Sequence, residues 1–128
     1  MNKFKFKFKT ENDFNKRVKS SSLVMARYKD RIPVIVQLTK SSRLPSDILN
    51  QIKYLVPKDN AFQSFQILIR RRVEIRNKIK NLASEGLFFF TENGHLPIQT
   101  QTMSQIYEQY KDEDGFLYIY IDTLETFG

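Results

Sequence analysis

The longest unbroken apolar run in this chain is six residues, 116–121. A helix that crosses a membrane needs about 18 or more, so no span is written here, and residue 1 is not followed by the apolar centre of a secretion signal. The expectation is a soluble, intracellular protein. Short apolar runs bounded by Pro, Asn and Gly read as strands. Four are present: Arg31-Ile-Pro-Val-Ile-Val-Gln-Leu38, Lys53-Tyr-Leu-Val-Pro57, Leu87-Phe-Phe-Phe90 and Phe116-Leu-Tyr-Ile-Tyr-Ile121. Pro33 near the start of the first predicts a sheet edge there. Residues 39–46 read as a polar loop, and Pro57 stops the second strand.

Between the strands the period changes. Phe14, Val18, Val24/Met25 and Tyr28 recur near every fourth position, which predicts a helix over 13–28 capped by Asn12 or Asp13. Serines at 20, 21 and 22 weaken it, because serine prefers caps to helix interiors. The longest helix is expected over 61–79, capped by Asp59 and Asn60, with Phe62, Phe65, Leu68/Ile69 and Val73 inward. Thr102-Met-Ser-Gln105 is a capping box that opens a short helix through Tyr110. The first nine residues alternate Phe and Lys at period two. Alone that is a half-buried strand with Phe4, Phe6 and Phe8 on one face; a mobile arm, or a short helix imposed by the rest of the fold, stays open. Segregated strands and one long helix predict an α+β fold, a small mixed sheet with the helix across one face. After two N-terminal elements the order matches a ubiquitin-like β-grasp.

Composition narrows the chemistry. A chain of 128 residues, 41% hydrophobic with 11 Phe, fits one domain with a real core. Without cysteine there is no disulfide framework, Cys-based zinc site or thiol nucleophile, and the single His95 cannot build a multi-histidine site. His95 is expected exposed, in the turn after Asn93-Gly94. Asp112-Glu-Asp-Gly115 fails the calcium-loop pattern, since Tyr110 and Ile121 would fill its first and last ligand positions; a turn before the last strand is expected. No Gly-rich phosphate loop or catalytic triad is present, so no enzyme, cofactor or metal is expected. The net charge of +7 is all found in residues 1–31, and residues 101–128 carry −5. A partner with negative charge near the N-terminal region follows. The Lys/Phe arm could track nucleic acid or rest on anionic lipid, or its Phe residues could dock on the domain. Arg70, Arg71, Arg72 and Arg76 lie so close along the long helix that they point in different directions.

Eight segments in register resemble the autophagy ubiquitin-like modifiers, the family of the GABA-A-receptor-associated proteins and the microtubule-associated-protein light chains. They are Phe14-Asn-Lys-Arg17, Tyr28-Lys-Asp-Arg-Ile-Pro-Val-Ile-Val36, Lys53-Tyr-Leu-Val-Pro57, Phe65 with Ile69-Arg-Arg-Arg72, Leu87-Phe-Phe-Phe90, Thr102-Met-Ser-Gln-Ile-Tyr107, Lys111-Asp-Glu-Asp-Gly-Phe-Leu-Tyr118 and Thr126-Phe-Gly128. Departures are Ser20, Lys29 and Asn60, where the family often has Glu, Pro and Leu, and a region 75–86 about six residues longer than usual.

The resemblance implies a ubiquitin-like β-grasp with two additional N-terminal helical elements: residues 1–30 a basic helical subdomain, 31–122 the core, 123–128 a conjugation tail. It implies that the Gly128 carboxylate is activated, carried as a thioester and joined to phosphatidylethanolamine; glycine suits a narrow active-site groove because it lacks Cβ. It also implies that a partner motif, an aromatic residue followed three positions on by Leu, Ile or Val, adds to the edge strand, placed here at residues 32–38. The aromatic pocket would use Val24, Pro33, Ile35, Lys53, Leu55 and Phe116. The aliphatic pocket would use Tyr54, Val56, Pro57, Phe65, Leu68 and Ile69, with Val56 and Ile69 readable as plain core. Arg31, Lys53 and Arg72 would meet acidic flanks. Partners would be motif-bearing autophagy receptors and adaptors, the activating and conjugating enzymes, a processing and delipidating cysteine protease and the lipid membrane, with no specific nucleic acid. The protein would be mostly monomeric, in cytoplasm and on autophagosome and vesicle membranes. The rivals are a peptide-binding adaptor that is never conjugated, and a basic module for cytoskeleton or nucleic acid.

Overall fold

A computed structural model of the chain describes residues 6–39, 49, 52–77 and 86–123. In chain order these form α1 (Lys7–Glu11), α2 (Phe14–Arg27), β1 (Arg31–Leu38), β2 (Lys53–Pro57), α3 (Phe62–Asn77), β3 (Leu87–Thr91), α4 (Met103–Tyr110) and β4 (Leu117–Thr123). Phe4, most of the expected 39–46 loop, the 78–85 part of the longer region and Gly128 lie outside the described residues.

The strands make one sheet in the order β2-β1-β4-β3. β1 runs antiparallel to β2, from Arg31↔Pro57 to Ile35↔Lys53, and parallel to β4, from Val34↔Leu117 to Leu38↔Ile121. The expected edge position of β1 is therefore wrong. Its Pro33 is tolerated inside the sheet for a local reason. Val36 N–H donates to the Ile52 carbonyl and Thr39 N–H to the Ile121 carbonyl, so odd-numbered β1 residues turn their backbone toward β4. Pairing with β4 begins only at Val34, and the missing N–H of Pro33 costs no ladder bond.

Each face of the sheet has its own core. Val34, Val36, Tyr54, Val56, Leu117 and Ile119 pack with Phe62, Phe65, Ile69 and Val73 of α3. Ile35, Phe116, Tyr118 and Tyr120 face the other way and are covered by Phe6, with Phe8 and Phe90 at the margin. Each fully buried large side chain contributes roughly 1.5–3 kcal/mol, which makes the second cluster a real second layer.

That layer settles the N-terminal pattern. Phe6 is extended, α1 starts at Lys7, and the two rings reach one aromatic surface from different backbone states. Phe6 stacks 4.0 Å from Tyr120, and Phe8 meets Phe116 edge-on at 5.2 Å. Lys7 N–H donates to Gln37 Oε1 at 2.7 Å. The strand expected from the alternation is replaced by a short helix that tertiary packing imposes. Polar ties hold it: Lys9 Nζ bonds Glu92 at 2.8 Å and Asp112 at 2.7 Å.

α2 is capped by the Asp13 carboxylate, which accepts from Lys16 N–H. Its serine run is explained by Ser21, buried, whose hydroxyl lies between the carbonyls of Val18 and Asp114. The first N–H groups of α3 are not left to side-chain caps. Phe62 and Gln63 N–H donate to the carbonyls of Gln101 and Gln99, the role expected of Asp59 and Asn60. The capping box of Thr102 and Gln105 forms in full and starts α4.

Candidate peptide-binding edge

With β1 internal, the outer strand beside it is β2. The Val36–Ile52 bond fixes the alternation: Tyr54 and Val56 turn their backbone groups toward β1, and Leu55 turns its own outward. The outward carbonyl of Leu55 accepts from Arg31 Nη1 at 3.2 Å. An extended peptide laid along β2 would find its ladder partners here.

On the α3 face of this strand lies a cleft of about 390 Å³. Tyr54, Val56, Pro57, Phe65 and Leu68 form its apolar lining and Arg31, Asn60, Ser64 and Arg72 the rest, while Leu55 also borders it from a strand position whose side chain alternates to the opposite face. Leu68 is 39% exposed and stands at the mouth, whereas Ile69 is wholly buried and does not line the cleft. Ile69 is core, against its expected place in the aliphatic pocket. Arg72 holds its guanidinium 5.3 Å from the Tyr54 ring centroid. Burial raises the Tyr54 hydroxyl pKa, and Arg72 offsets part of that rise.

On the opposite face, pairing puts Pro33 beside Leu55 and Ile35 beside Lys53, so those four share one side of the sheet. Ile35 and Phe116 are fully buried in the second layer and can form only the floor of an aromatic pocket. Lys53 Nζ stands 5.6 Å from the Phe116 centroid and 5.5 Å from that of Phe8, and donates to Ser20 Oγ at 3.3 Å. Val24 of the expected set lies half-buried on α2. Phe8 and Ser20 at Lys53, with Asn60 and Ser64 in the cleft, were not in either pocket as read from sequence. The Ser20 and Asn60 departures were the available signals. Arg31, Lys53 and Arg72 do not form one patch: Arg31 and Arg72 line the cleft, and Lys53 stands on the opposite face over the Phe8 and Phe116 rings. Arg70 stacks on Phe89 at 5.6 Å and Arg71 is exposed, so consecutive arginines do diverge.

The chain matches the family described as Autophagy protein Atg8 ubiquitin like over residues 16–128. It belongs to the Atg8 family. Autophagy-related protein 8e of Arabidopsis thaliana is 41% identical over 121 residues, covering 94% of this chain and 92% of the relative. Autophagy-related protein 8 of Pichia angusta is also 41% identical over 121 residues, covering 94% and 90%. Among solved structures, Trypanosoma brucei ATG8 superposes with a TM-score of 0.80 at 32% identity, covering 94% of this chain and 96% of that one. Plasmodium falciparum Atg8, solved with a Plasmodium falciparum Atg3 peptide, gives 0.77 at 28% identity, covering 94% and 100%. The ubiquitin-like fold expected from the motifs is the fold of these Atg8 structures, and the chain is a ubiquitin-like autophagy protein.

Proposed function

We propose that this Atg8-family chain is a lipid-conjugated modifier that gathers short linear motifs along β2. Its Gly128 carboxylate is joined to phosphatidylethanolamine on autophagosomal membranes by a ubiquitin-like activating and conjugating cascade, and a cysteine protease processes and releases it. The protein is a substrate of those enzymes and has no catalysis of its own. Two acyl chains, at about 0.8 kcal/mol per buried methylene, suffice for stable anchoring. The observation that carries the binding half is the outer strand β2, with the 390 Å³ cleft on one face and, on the other, Lys53 standing 5.6 Å from the Phe116 ring centroid. Alternate side chains of one guest strand point to opposite faces, so an aromatic anchor and a second anchor three positions on fill both. For the conjugation half, the support is family membership over a match that runs to residue 128 and the Atg3 peptide bound by the Plasmodium Atg8.

Phe6 and Phe8 pack on the sheet, which removes them as a platform for stacking bases and favours this reading over a nucleic-acid arm. The test is intact mass after incubation of the full chain with activating and conjugating enzymes, ATP and phosphatidylethanolamine liposomes. A gain of one lipid less one water, absent when Gly128 is deleted, is expected. An unchanged mass, with a relative conjugated in the same tube, contradicts the proposal.

A further inference from the structure

Lys53 opens β2 half-buried, and residues far away in sequence hold its ammonium. Nζ stands 5.5 Å from the Phe8 ring centroid, 5.6 Å from that of Phe116, and donates to Ser20 Oγ at 3.3 Å. Phe116 lies under the sheet edge, but Phe8 comes from α1 and Ser20 from α2. Phe8 is itself fixed. Its ring meets Phe116 edge-on at 5.2 Å and Tyr118 at 6.5 Å. On either side of it Lys7 N–H is tied to Gln37, and Lys9 Nζ to Glu92 and Asp112. A ring face and a hydroxyl orient an ammonium without cancelling its charge.

The register of β2 says what that charge would meet. The α3-face cleft lies toward the Pro57 end of the strand, and Lys53 is at the other end. A guest whose aromatic anchor comes first and whose second anchor fills the cleft therefore runs parallel to β2. With its ring beside Leu55, the residue two positions earlier points to the same face and falls at Lys53. We propose that Phe8 and Ser20 are positioning residues of this edge, holding the Lys53 ammonium where it takes a carboxylate from the guest residue two before the aromatic anchor. The assignment rests on the reading of β2 as a strand-accepting edge, and it makes the docked N-terminal helices part of what selects the guest.

The test titrates the full chain with two fluorescent twelve-residue peptides that share both anchors and carry Glu or Gln two residues before the aromatic one. On the wild type the Glu peptide is expected to bind about fivefold tighter, and Lys53→Met should erase the difference. Phe8→Leu keeps apolar cover but removes the ring face, and Ser20→Ala removes the acceptor. Each should cut the Glu preference to about twofold or less while the Gln peptide binds nearly as before. Phe8→Tyr and Ser20→Thr should keep it, and Ser20→Glu, which sets a carboxylate of the chain's own on Lys53, should abolish it. Ser20→Ala leaves α1 untouched, so it decides the matter if Phe8→Leu melts early. Equal binding of the two peptides to the wild type overturns the proposal. So does a preference that survives Lys53→Met or both positioning variants, and so does an equal loss of both peptides in those variants. Failure of both peptides to bind the wild type overturns the edge reading underneath, a result told apart by the anchors they share.

Discussion

Arg17 on α2 donates through Nε to Asp114 Oδ2, 2.8 Å away, across 97 residues of sequence. The carboxylate is fully buried and the Arg17 side chain is 12% exposed. Asp114 also accepts from the Tyr118 hydroxyl and from Phe116 N–H. One side chain thus joins the N-terminal helices to the start of β4. Asp114→Ala leaves the Tyr118 hydroxyl without its acceptor and the Arg17 guanidinium without its carboxylate, holding only the Lys9 and Asn12 carbonyls, and should lower stability by about 3 kcal/mol in urea unfolding. Adding Arg17→Met should restore part of it. A loss under about 1 kcal/mol would remove Asp114 as the anchor.

Gly115 has φ +94°, and a Cβ there would lie 2.5 Å from Ser21 Oγ. Gly115→Ala therefore meets both strain and the hydroxyl that holds α2. We expect a loss of about 1–3 kcal/mol, read as a lower thermal midpoint, with Ser21→Ala in the same chain relieving the steric part. A neutral Gly115→Ala would mean that α2 sits farther from the turn.

The Lys9–Asp112 pair predicts a pH profile. Burial pushes the Asp112 carboxyl up, but the bonds from Lys9 and the Asp114 N–H, with the Lys9 and Arg17 charges, outweigh that and hold it below the ordinary 3.8. For Lys9, burial pulls down while Asp112 and Glu92 more than compensate, raising it above 10.5. A depressed acid contributes above its unfolded pKa and is lost as pH falls through the folded one. A raised base contributes below its unfolded pKa and is lost as pH rises through the folded one. Asp112→Asn should therefore cost roughly 1 kcal/mol at neutral pH and progressively less as pH falls below about 4. A difference from wild type that stays constant down to acid pH would contradict the pairing.

Adjacent residues on α3 separate binding from folding. Leu68 stands in the cleft mouth and Ile69 is buried beneath the sheet. Leu68→Ala should weaken guest-peptide binding by about 1 kcal/mol or more with little change in melting. Ile69→Ala should destabilise by about 2–5 kcal/mol. Calorimetry and thermal melts on the two variants decide it; equal effects on folding would place Leu68 in the core.

Local pattern carried the elements well where the physics is local. β1 and β2 have the bounds read from their apolar runs, and α4 starts at its capping box. Strand order is a different matter. Nothing in the 31–38 run says which neighbours it takes, and Pro33 misled because its missing N–H falls where β4 has not begun. The Phe/Lys alternation misled for the same kind of reason: Phe6 and Phe8 are chosen by the second face of the sheet, far away in sequence. Likewise Ser21 looked like a poor helix residue until its partner at Asp114 was placed. At the site, the resemblance supplied most of the cleft lining. Ser64 is polar and unremarkable in sequence, and only the turn from β2 into α3 brings it to Leu68 and Pro57.

The most direct measurement is backbone amide exchange at Leu55 with and without a saturating guest peptide. Leu55 turns its N–H away from β1, whereas Tyr54 and Val56 turn theirs toward it. Strand addition predicts that Leu55 exchange slows at least about tenfold on binding while Tyr54 and Val56 change little. A peptide that saturates the protein and leaves the Leu55 amide exchanging as before would contradict the account.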